Sequence, residues 1–596
     1  MSLKDLLSPF TVWQRAFGKP YTTLKPIEER PGAKGYRGFH INVAENCVGC
    51  GSCHSICQND AIDMVPAEEY EGIKGDSGLR PRFDYGRCCW CGLCVDICTA
   101  SSLRMSNEFI WTTTDPDTYS FTAGVEETPW QDKEHGYRTA EGYNLYAPKR
   151  IDMEMMDFDE SVKSFTEVVR GYTEEQAKAE ADRCVECGLC VATCPAHMDV
   201  PDYIKSVRDG DYEKGLELMY RTNPFPASCG RICTRECETV CPVGIEGDAV
   251  AIRWLKRFIV DQIKPEEYAR ILKDTIEENG KHVAIIGAGP GGLSAAYYLR
   301  KYGYAVTIYE AEQRAGGMLR YGVPNYRLPE DQLDKDVDYI LSLGVNVKFK
   351  TKVGQDVSFE QLIEDHDALF ISTGLPVPSS MRIHGEEHAR VLPGLKILSD
   401  VTNGTDPGIG KKVAVIGGGN VAMDAARVSR RMGAEVTILY RRRIEDMPAD
   451  DEEIHESQAE ACTIIEQAIP VEIMDADNDQ QVCIKWGEAE MVQDPKGGRP
   501  RPVLQEDRMH VETYDSIISA IGQGSDLEYL PQSVQDECHI KWGKFNPGDY
   551  QTTELKKVFV GGDFANNTAD AISAIEDGHH AARGINRLLN PEAYKD

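Results

Sequence analysis

Sixteen of the twenty cysteines stand in four spaced groups. Two read C-x2-C-x2-C-x3-C: Cys47, Cys50, Cys53 and Cys57, then Cys88, Cys91, Cys94 and Cys98. That spacing wraps three thiolates of a short loop around a cubane cluster, and in the tandem form of the motif the fourth cysteine crosses to the other cluster. One cluster then takes Cys47, Cys50, Cys53 and Cys98, the other Cys88, Cys91, Cys94 and Cys57. The proline usual after the fourth cysteine is replaced by Gln58 and Thr99. Zinc is the structural alternative, but zinc favours separated ligand pairs over tight quartets. The third and fourth groups are Cys184, Cys187, Cys190, Cys194 and Cys229, Cys233, Cys237, Cys241. Cys89 falls off the spacing, and Cys462, Cys483 and Cys538 read as single core residues.

A second chemistry is written in glycine. Val283–Glu310 is an apolar run, a turn with Gly287, Gly289 and Gly292, a helical stretch opened by Pro290, and a second apolar run closing on Glu310. This is a βαβ unit for a dinucleotide. Gly287 permits the tight turn, Gly289 the approach of a pyrophosphate, and Gly292 close helix–strand packing. The helix N-terminus offers unpaired N–H groups to the phosphates, and Glu310 can accept from a ribose hydroxyl. The unit recurs 130 residues later in Val413–Tyr440, with Gly417 and Gly419 in register and Ala422 in place of Gly292. The acid is replaced by Tyr440, followed by Arg441, Arg442 and Arg443. Losing the acid and gaining arginines suits a 2′-phosphate. FAD in the first unit and NADP(H) or NAD(H) in the second follow, with flavin as the junction between hydride and single-electron transfer.

The elements that must position these residues fall into several domains, as 596 residues imply. Residues 1–40 read as an N-terminal arm, 41–110 as a two-cluster ferredoxin domain and 111–155 as a linker. A helical Fe–S domain spans 156–265. Residues 275–407 and 515–590 form the FAD-binding domain, and 408–514 the inserted NAD(P)H-binding domain. Within the former, Gly317 and Met318 belong to GGMLRYGVPNYRLP, the Thr373-Gly374 end of a buried strand can press backbone against a flavin, and Gly562 and Asp563 form a turn before the last helix. The fold class is α/β: two Rossmann-like domains, one inserted in the other, preceded by a helical Fe–S domain and a ferredoxin-like α+β domain.

A net charge of −32 opposes binding to nucleic acid or anionic membranes. No apolar run reaches the ~20 residues of a membrane span, and the N-terminus lacks a secretory pattern, so a cytoplasmic protein with reduced thiols is expected.

RCCWCGLCVDIC resembles ferredoxin-like electron-transfer subunits. From about residue 156 to 590, RCVECGLCVATCP, NPFPASCGRIC, VAIIGAGPGGLSAA, GGMLRYGVPNYRLP, VAVIGGGNVAMDAAR, YRRRIEDMPA and VFVGGDFANN resemble the glutamate synthase small-subunit family. That family includes the N-terminal half of dihydropyrimidine dehydrogenase and the large subunit of the NADH-dependent ferredoxin:NADP oxidoreductase. The resemblance implies that FAD contacts Gly287, Gly289, Gly292, Glu310 and Asp563, and NADPH contacts Gly417, Gly419, Asn420, Val421, Arg441 and Arg442. It also implies one cluster on Cys184, Cys187, Cys190 and Cys241, and another on Cys194, Cys233 and Cys237. Relatives complete the latter with a glutamate or glutamine, where Lys256 aligns here. A charged lysine cannot ligate iron, so Cys229 is expected to complete the site, or the site is a three-iron one.

The function expected is an NAD(P)H oxidoreductase subunit that moves a hydride between NAD(P)H and FAD. It then passes single electrons through up to four [4Fe–4S] clusters to other oxidoreductase subunits or a ferredoxin, in a hetero-oligomer. Two alternatives stand beside it: a flavin-based electron-bifurcating ferredoxin:NAD(P) transhydrogenase subunit, and a redox-idle scaffold. Disulfide reduction is excluded, because the nicotinamide domain holds no C-x-x-C pair.

Overall fold

The computed structural model describes residues 35–67, 75–108, 115–128, 149–245, 247–493, 499–537, 545, 547–566 and 570–593. Most of the expected arm therefore lies outside the described residues, as does Cys538. The chain divides into two units, Met1–Leu145 and Tyr146–Asp596.

In the first unit, β1 (His40–Asn42) carries the chain to α1 (Ser52–Ile56) and β2 (Ile62–Pro66). The pattern repeats in β3 (Leu79–Asp84), α2 (Leu93–Asp96) and β4 (Leu103–Met105). Each helix is only about a turn long, because the cysteine loop leaves it no room. Each starts at a left-handed glycine, Gly51 at φ 75° and Gly92 at φ 80°, where a side chain would be strained. β1 pairs with β4, and β2 with β3, both antiparallel. The expected linker contributes to this unit: β5 (Ser120–Thr122) pairs with β3, Phe121 opposite Phe83. Burial of that one aromatic draws the segment in, and its polar surroundings hid the strand.

The second unit opens with helices α3 (Glu174–Ala181), α4 (Leu189–Thr193), α5 (Val200–Asp209), α6 (Tyr212–Tyr220), α7 (Pro226–Ile232) and α8 (Ile252–Asp261). Thr173 and Gln176 form a capping box on α3. The chain then builds β6 (His282–Ile286), α9 (Pro290–Lys301), β7 (Ala305–Tyr309), α10 (Glu330–Ser342), β8 (Asn346–Lys348) and β9 (Ala368–Ile371). With β18 (Val558–Val560) these strands make an all-parallel sheet ordered β18-β9-β6-β7-β8, and α13 (Ala571–Leu589) packs on α9.

A second parallel sheet, ordered β10-β17-β11-β12-β13, holds β10 (Val391–Pro393), β11 (Lys412–Ile416), β12 (Glu435–Leu439), β13 (Thr463–Ile465) and β17 (Ser516–Ser519). Helices α11 (Asn420–Arg431) and α12 (Asp451–Ala459) cover it. An antiparallel ribbon of β14 (Ala468–Asp475), β15 (Val482–Val492) and β16 (Arg501–Tyr514) leads back to β17. Two segments assigned from sequence to the flavin domain thus belong to this sheet: β17 lies beside β11, Val413 opposite Ser516, and β10 beside β17. The crossing between domains lies further out, where Val377–Pro378 pairs with Gln523–Gly524. Both strands are short apolar runs that suit either sheet, and only the pairing register distinguishes them. The helical region and the first sheet share one core, in which Tyr220 of α6 sets its edge to Tyr297 of α9 and Tyr339 of α10.

Candidate functional site

In the first unit, α1 and α2 each carry the third cysteine of a motif, Cys53 and Cys94, into the core. The fourth cysteine of each group faces the other group: Cys98 acts on Cys50, and Cys57 on Cys88, through their charges. Burial and like charge push Cys53 up to about 11 and Cys94 up to about 12. Cys53 and Cys94 so placed ionise only against a cationic centre, and the eight sulfurs are a donor set that fits metal clusters.

In the second unit, Cys184, Cys187, Cys190 and Cys241 line one apolar pocket with Ile204, Val243 and Val250. Burial, followed by their mutual repulsion, pushes Cys190 up to about 11. The remaining four gather elsewhere. Cys194 and Cys237 interact with Cys233, and Cys229, buried on α7, interacts with Cys233. Lys256 of α8, 4% exposed, stands among all four. Among the described residues no carboxylate pairs with it, and the thiols hold its ammonium charged against the opposing effect of burial. Helices α7 and α8 meet at backbone distance: a Cβ on Gly230 would lie 2.9 Å from Arg257 Cα.

The first glycine loop lies at the C-terminal edge of its sheet, the place where doubly wound folds bind ligands. Gly287 has φ 98°, and a Cβ there would lie 2.5 Å from Ser372 O. Gly289 meets nothing nearer than Gly317 Cα at 3.9 Å, so its face is open. Gly317 and Met318 begin the short helical turn Met318–Tyr321 alongside, and Thr373 and Gly374 lie just past the end of β9, where a Cβ on Gly374 would meet nothing within 4 Å. These open backbone faces fit the approach of a pyrophosphate. Glu310, 8% exposed, accepts from Ala288 N at 2.7 Å and Glu312 N at 2.8 Å. Burial raises its carboxyl above the usual range, and one lone pair on each oxygen is left for a ribose.

The turn bearing Asp563 is held by a residue that sequence reading missed. Asp577 of α13 accepts from Gly562 N at 2.8 Å and Asn566 Nδ2 at 3.0 Å, and burial pushes its carboxyl up to about 6. Its sequence signal is weak, since it is one acid of the pair Glu576 and Asp577 in the last helix.

At the second loop, Gly417 has φ 144°, and Gly418 rests on the Tyr440 ring, 2.5 Å from a Cβ position. Tyr440 is therefore the floor of the loop, and its hydroxyl donates to Asp446 O at 2.9 Å. Gly419 is open, Asn420 Oδ1 accepts from Asp450 N, and Val421 packs against the core. The three arginines differ. Arg443 pairs with Glu445 and Asp446, and Arg442 Nε donates to Pro500 O. Arg441 is exposed and, among the described residues, unpaired.

The three parts of this unit are clamped together. Arg327, in the NYRLP stretch, pairs with Asp424 at 2.8 Å and Glu453 at 2.7 Å, while Tyr326 lies under Arg431 at 3.7 Å. Arg235, between two cysteines, pairs with Asp450 and Glu452, and Arg253 also pairs with Glu452.

Three family descriptions match this arrangement. Residues 46–102 match the 4Fe-4S dicluster domain, and 161–268 match dihydropyrimidine dehydrogenase domain II with its 4Fe-4S cluster. Residues 281–581, half of the chain, match pyridine nucleotide-disulphide oxidoreductases. The chain belongs to that oxidoreductase family. Within it the chain is glutamate synthase small-subunit-like: it is 31% identical over 445 residues to the glutamate synthase [NADPH] small chain of Escherichia coli, covering 71% of this chain and 94% of that one. It is 38% identical over 429 residues to the NADP(+)-dependent formate dehydrogenase subunit beta of Moorella thermoacetica, and 35% over 427 to the NADPH-Fe(3+) oxidoreductase subunit beta of Geobacter sulfurreducens. Each alignment takes in 67% of this chain, but 60% and 63% of those relatives, so the chain spans about three fifths of their length. The matches agree with the FAD, nicotinamide nucleotide and [4Fe–4S] expectations. No described helix is long and apolar enough to cross a membrane.

Proposed function

We propose that this chain is an electron-transfer subunit that exchanges a hydride between NADPH and FAD and passes single electrons through four [4Fe–4S] clusters to a partner subunit or ferredoxin. Bound FAD supplies the exchange between two-electron and one-electron chemistry. The observation that carries the reading is the shared core of the helical cysteine region and the flavin-type sheet. There the first turn of α7, which bears Cys229, is capped by Asp336 of α10. A cysteine quartet is thereby fixed to the domain with the first glycine loop. Glu310 and Asp577 hold the loops that would cradle FAD. Arg441, the one arginine of its run without a partner among the described residues, is the group for a 2′-phosphate. Cys194, Cys229, Cys233 and Cys237 form the ligand set of the quartet around Lys256, because an ammonium offers no lone pair.

The test is anaerobic purification with iron and flavin analysis, followed by titration with NADPH under optical and electron paramagnetic resonance (EPR) detection. About 16 irons and one FAD are expected per chain, with flavin bleaching followed by reduced-cluster signals. Bleaching of the flavin with no cluster reduced at any NADPH concentration would refute the electron path.

A further inference from the structure

The first unit is a repeat, and one of the buried positions at which its halves differ is that of His40. An offset of 41 residues carries Cys47, Cys50, Cys53 and Cys57 onto Cys88, Cys91, Cys94 and Cys98. It also carries His40 in β1 onto Pro81 in β3. His40 is 2% exposed, stacks on Phe83 at 4.1 Å, and places Nε2 3.2 Å from Cys94 Sγ. Pro81 offers no side-chain donor, and among the described residues no side-chain donor reaches Cys53. The two quartets therefore differ in what touches their sulfurs. The first meets hydroxyls at its edge, Ser52 Oγ near Cys50 and Ser102 Oγ near Cys98. The second meets Ala61 N–H at Cys57, Trp90 N–H at Cys88 and the imidazole at Cys94.

The tautomer follows from the surroundings. His40 is almost fully buried, where a ring without a counter-ion is neutral and carries one N–H. Among the described residues Nδ1 has no hydrogen-bond partner, and a buried donor without an acceptor is costly. The proton therefore sits on Nε2, where a ligating thiolate, which has no proton of its own, accepts it. Reduction adds negative charge that spreads onto the ligand sulfurs, so a fixed N–H aimed at one of them stabilises the reduced state more than the oxidised.

We propose that His40 donates Nε2–H to the ligating sulfur of Cys94 and raises the reduction potential of the second cluster of the first unit. This rests on the proposed electron-transfer reading. An electron that reaches the second cluster is then held there more tightly than it would be without the N–H. One electron is gained, no covalent bond changes, and His40 keeps its proton. The position is a tuning one, since a phenylalanine would fill the same stack without donating.

The experiment uses the full chain with its clusters, and His40→Phe and His40→Gln variants. Iron is counted, and EPR-monitored redox titration follows the two signals of this unit, assigned through Cys50→Ser and Cys91→Ser. His40→Phe should keep its iron and lower the potential of the second cluster alone, and His40→Gln, whose amide can donate, should restore part of the shift. An unchanged potential in His40→Phe with full iron overturns the proposal. Should His40→Phe lose iron, pulsed EPR of the reduced wild type labelled with 15N-histidine decides. Nitrogen coupling on the second cluster supports the hydrogen bond, and its absence overturns it. A wild type with no reducible cluster in this unit would instead sink the electron-transfer reading itself.

Discussion

Replacing Asp336 with asparagine probes the joint between the cysteine region and the flavin-type domain. Asp336, fully buried on α10, accepts from Ala227 N at 3.2 Å, Ser228 N at 2.8 Å and Ser228 Oγ at 2.8 Å. These are donors of the first turn of α7, which opens with Pro226 and has no side-chain cap of its own. Burial outweighs the three hydrogen bonds and pushes the carboxyl from 3.8 up to about 7. Three units at 1.36 kcal/mol each make about 4 kcal/mol. A carboxyl raised in the folded state binds protons there that the unfolded chain has already released. Stability from this group is thus full below pH 4, falls as pH rises to about 7, and stays low above it.

Asparagine cannot ionise, so Asp336→Asn should lack that slope. It keeps one oxygen for Ser228, but turns its amide N–H2 towards the Ala227 N–H and leaves a buried donor unmet, at a cost of about 1–3 kcal/mol. The variant should be less stable than wild type at pH 5.5, and the difference should shrink or reverse by pH 8. Anaerobic denaturant unfolding across that range reads the difference directly, and subtraction removes the titration of every other group. A wild-type-minus-variant gap that stays constant from pH 5.5 to 8 would refute the reasoning.

Gly292→Ala places a Cβ 2.0 Å from Gly287 O and should cost about 1–3 kcal/mol with loss of FAD; Ala422→Gly, at the matching position of the second fingerprint, should cost only about 0.5–1 kcal/mol, both read by thermal unfolding. Arg441→Ala should remove roughly 1.5–3 kcal/mol of preference for NADPH over NADH, tenfold or more in affinity. Arg443→Ala should leave the preference in place, because Glu445 and Asp446 already hold that guanidinium; equal effects in binding titrations would contradict the assignment. Cys229→Ser should lower the iron content and alter the EPR signal of one cluster only, and unchanged iron and spectra would remove Cys229 from the ligand set.

What could be read without a structure was whatever depends on spacing along the chain. The cysteine motifs close over a few residues, and the two glycine fingerprints are local strand–turn–helix units repeated at 130 residues, so their chemistry and their α/β setting were legible. Tertiary structure decided everything that turns on partners far apart in sequence. Val391–Pro393 and Ser516–Ser519 joined the second sheet because a short apolar strand goes where its register pairs. Tyr440, read as the loss of an acid, proved to be the floor beneath Gly418, and of three consecutive arginines only the contacts of Arg442 and Arg443 singled out Arg441. Asp336 reaches Ser228 across 108 residues, His40 reaches Cys94 across 54, and Asp577 reaches Gly562 from a separate element. No local pattern encodes such contacts. A buried polar group is satisfied by whichever donor the packed chain brings beside it, and packing is a property of the whole core.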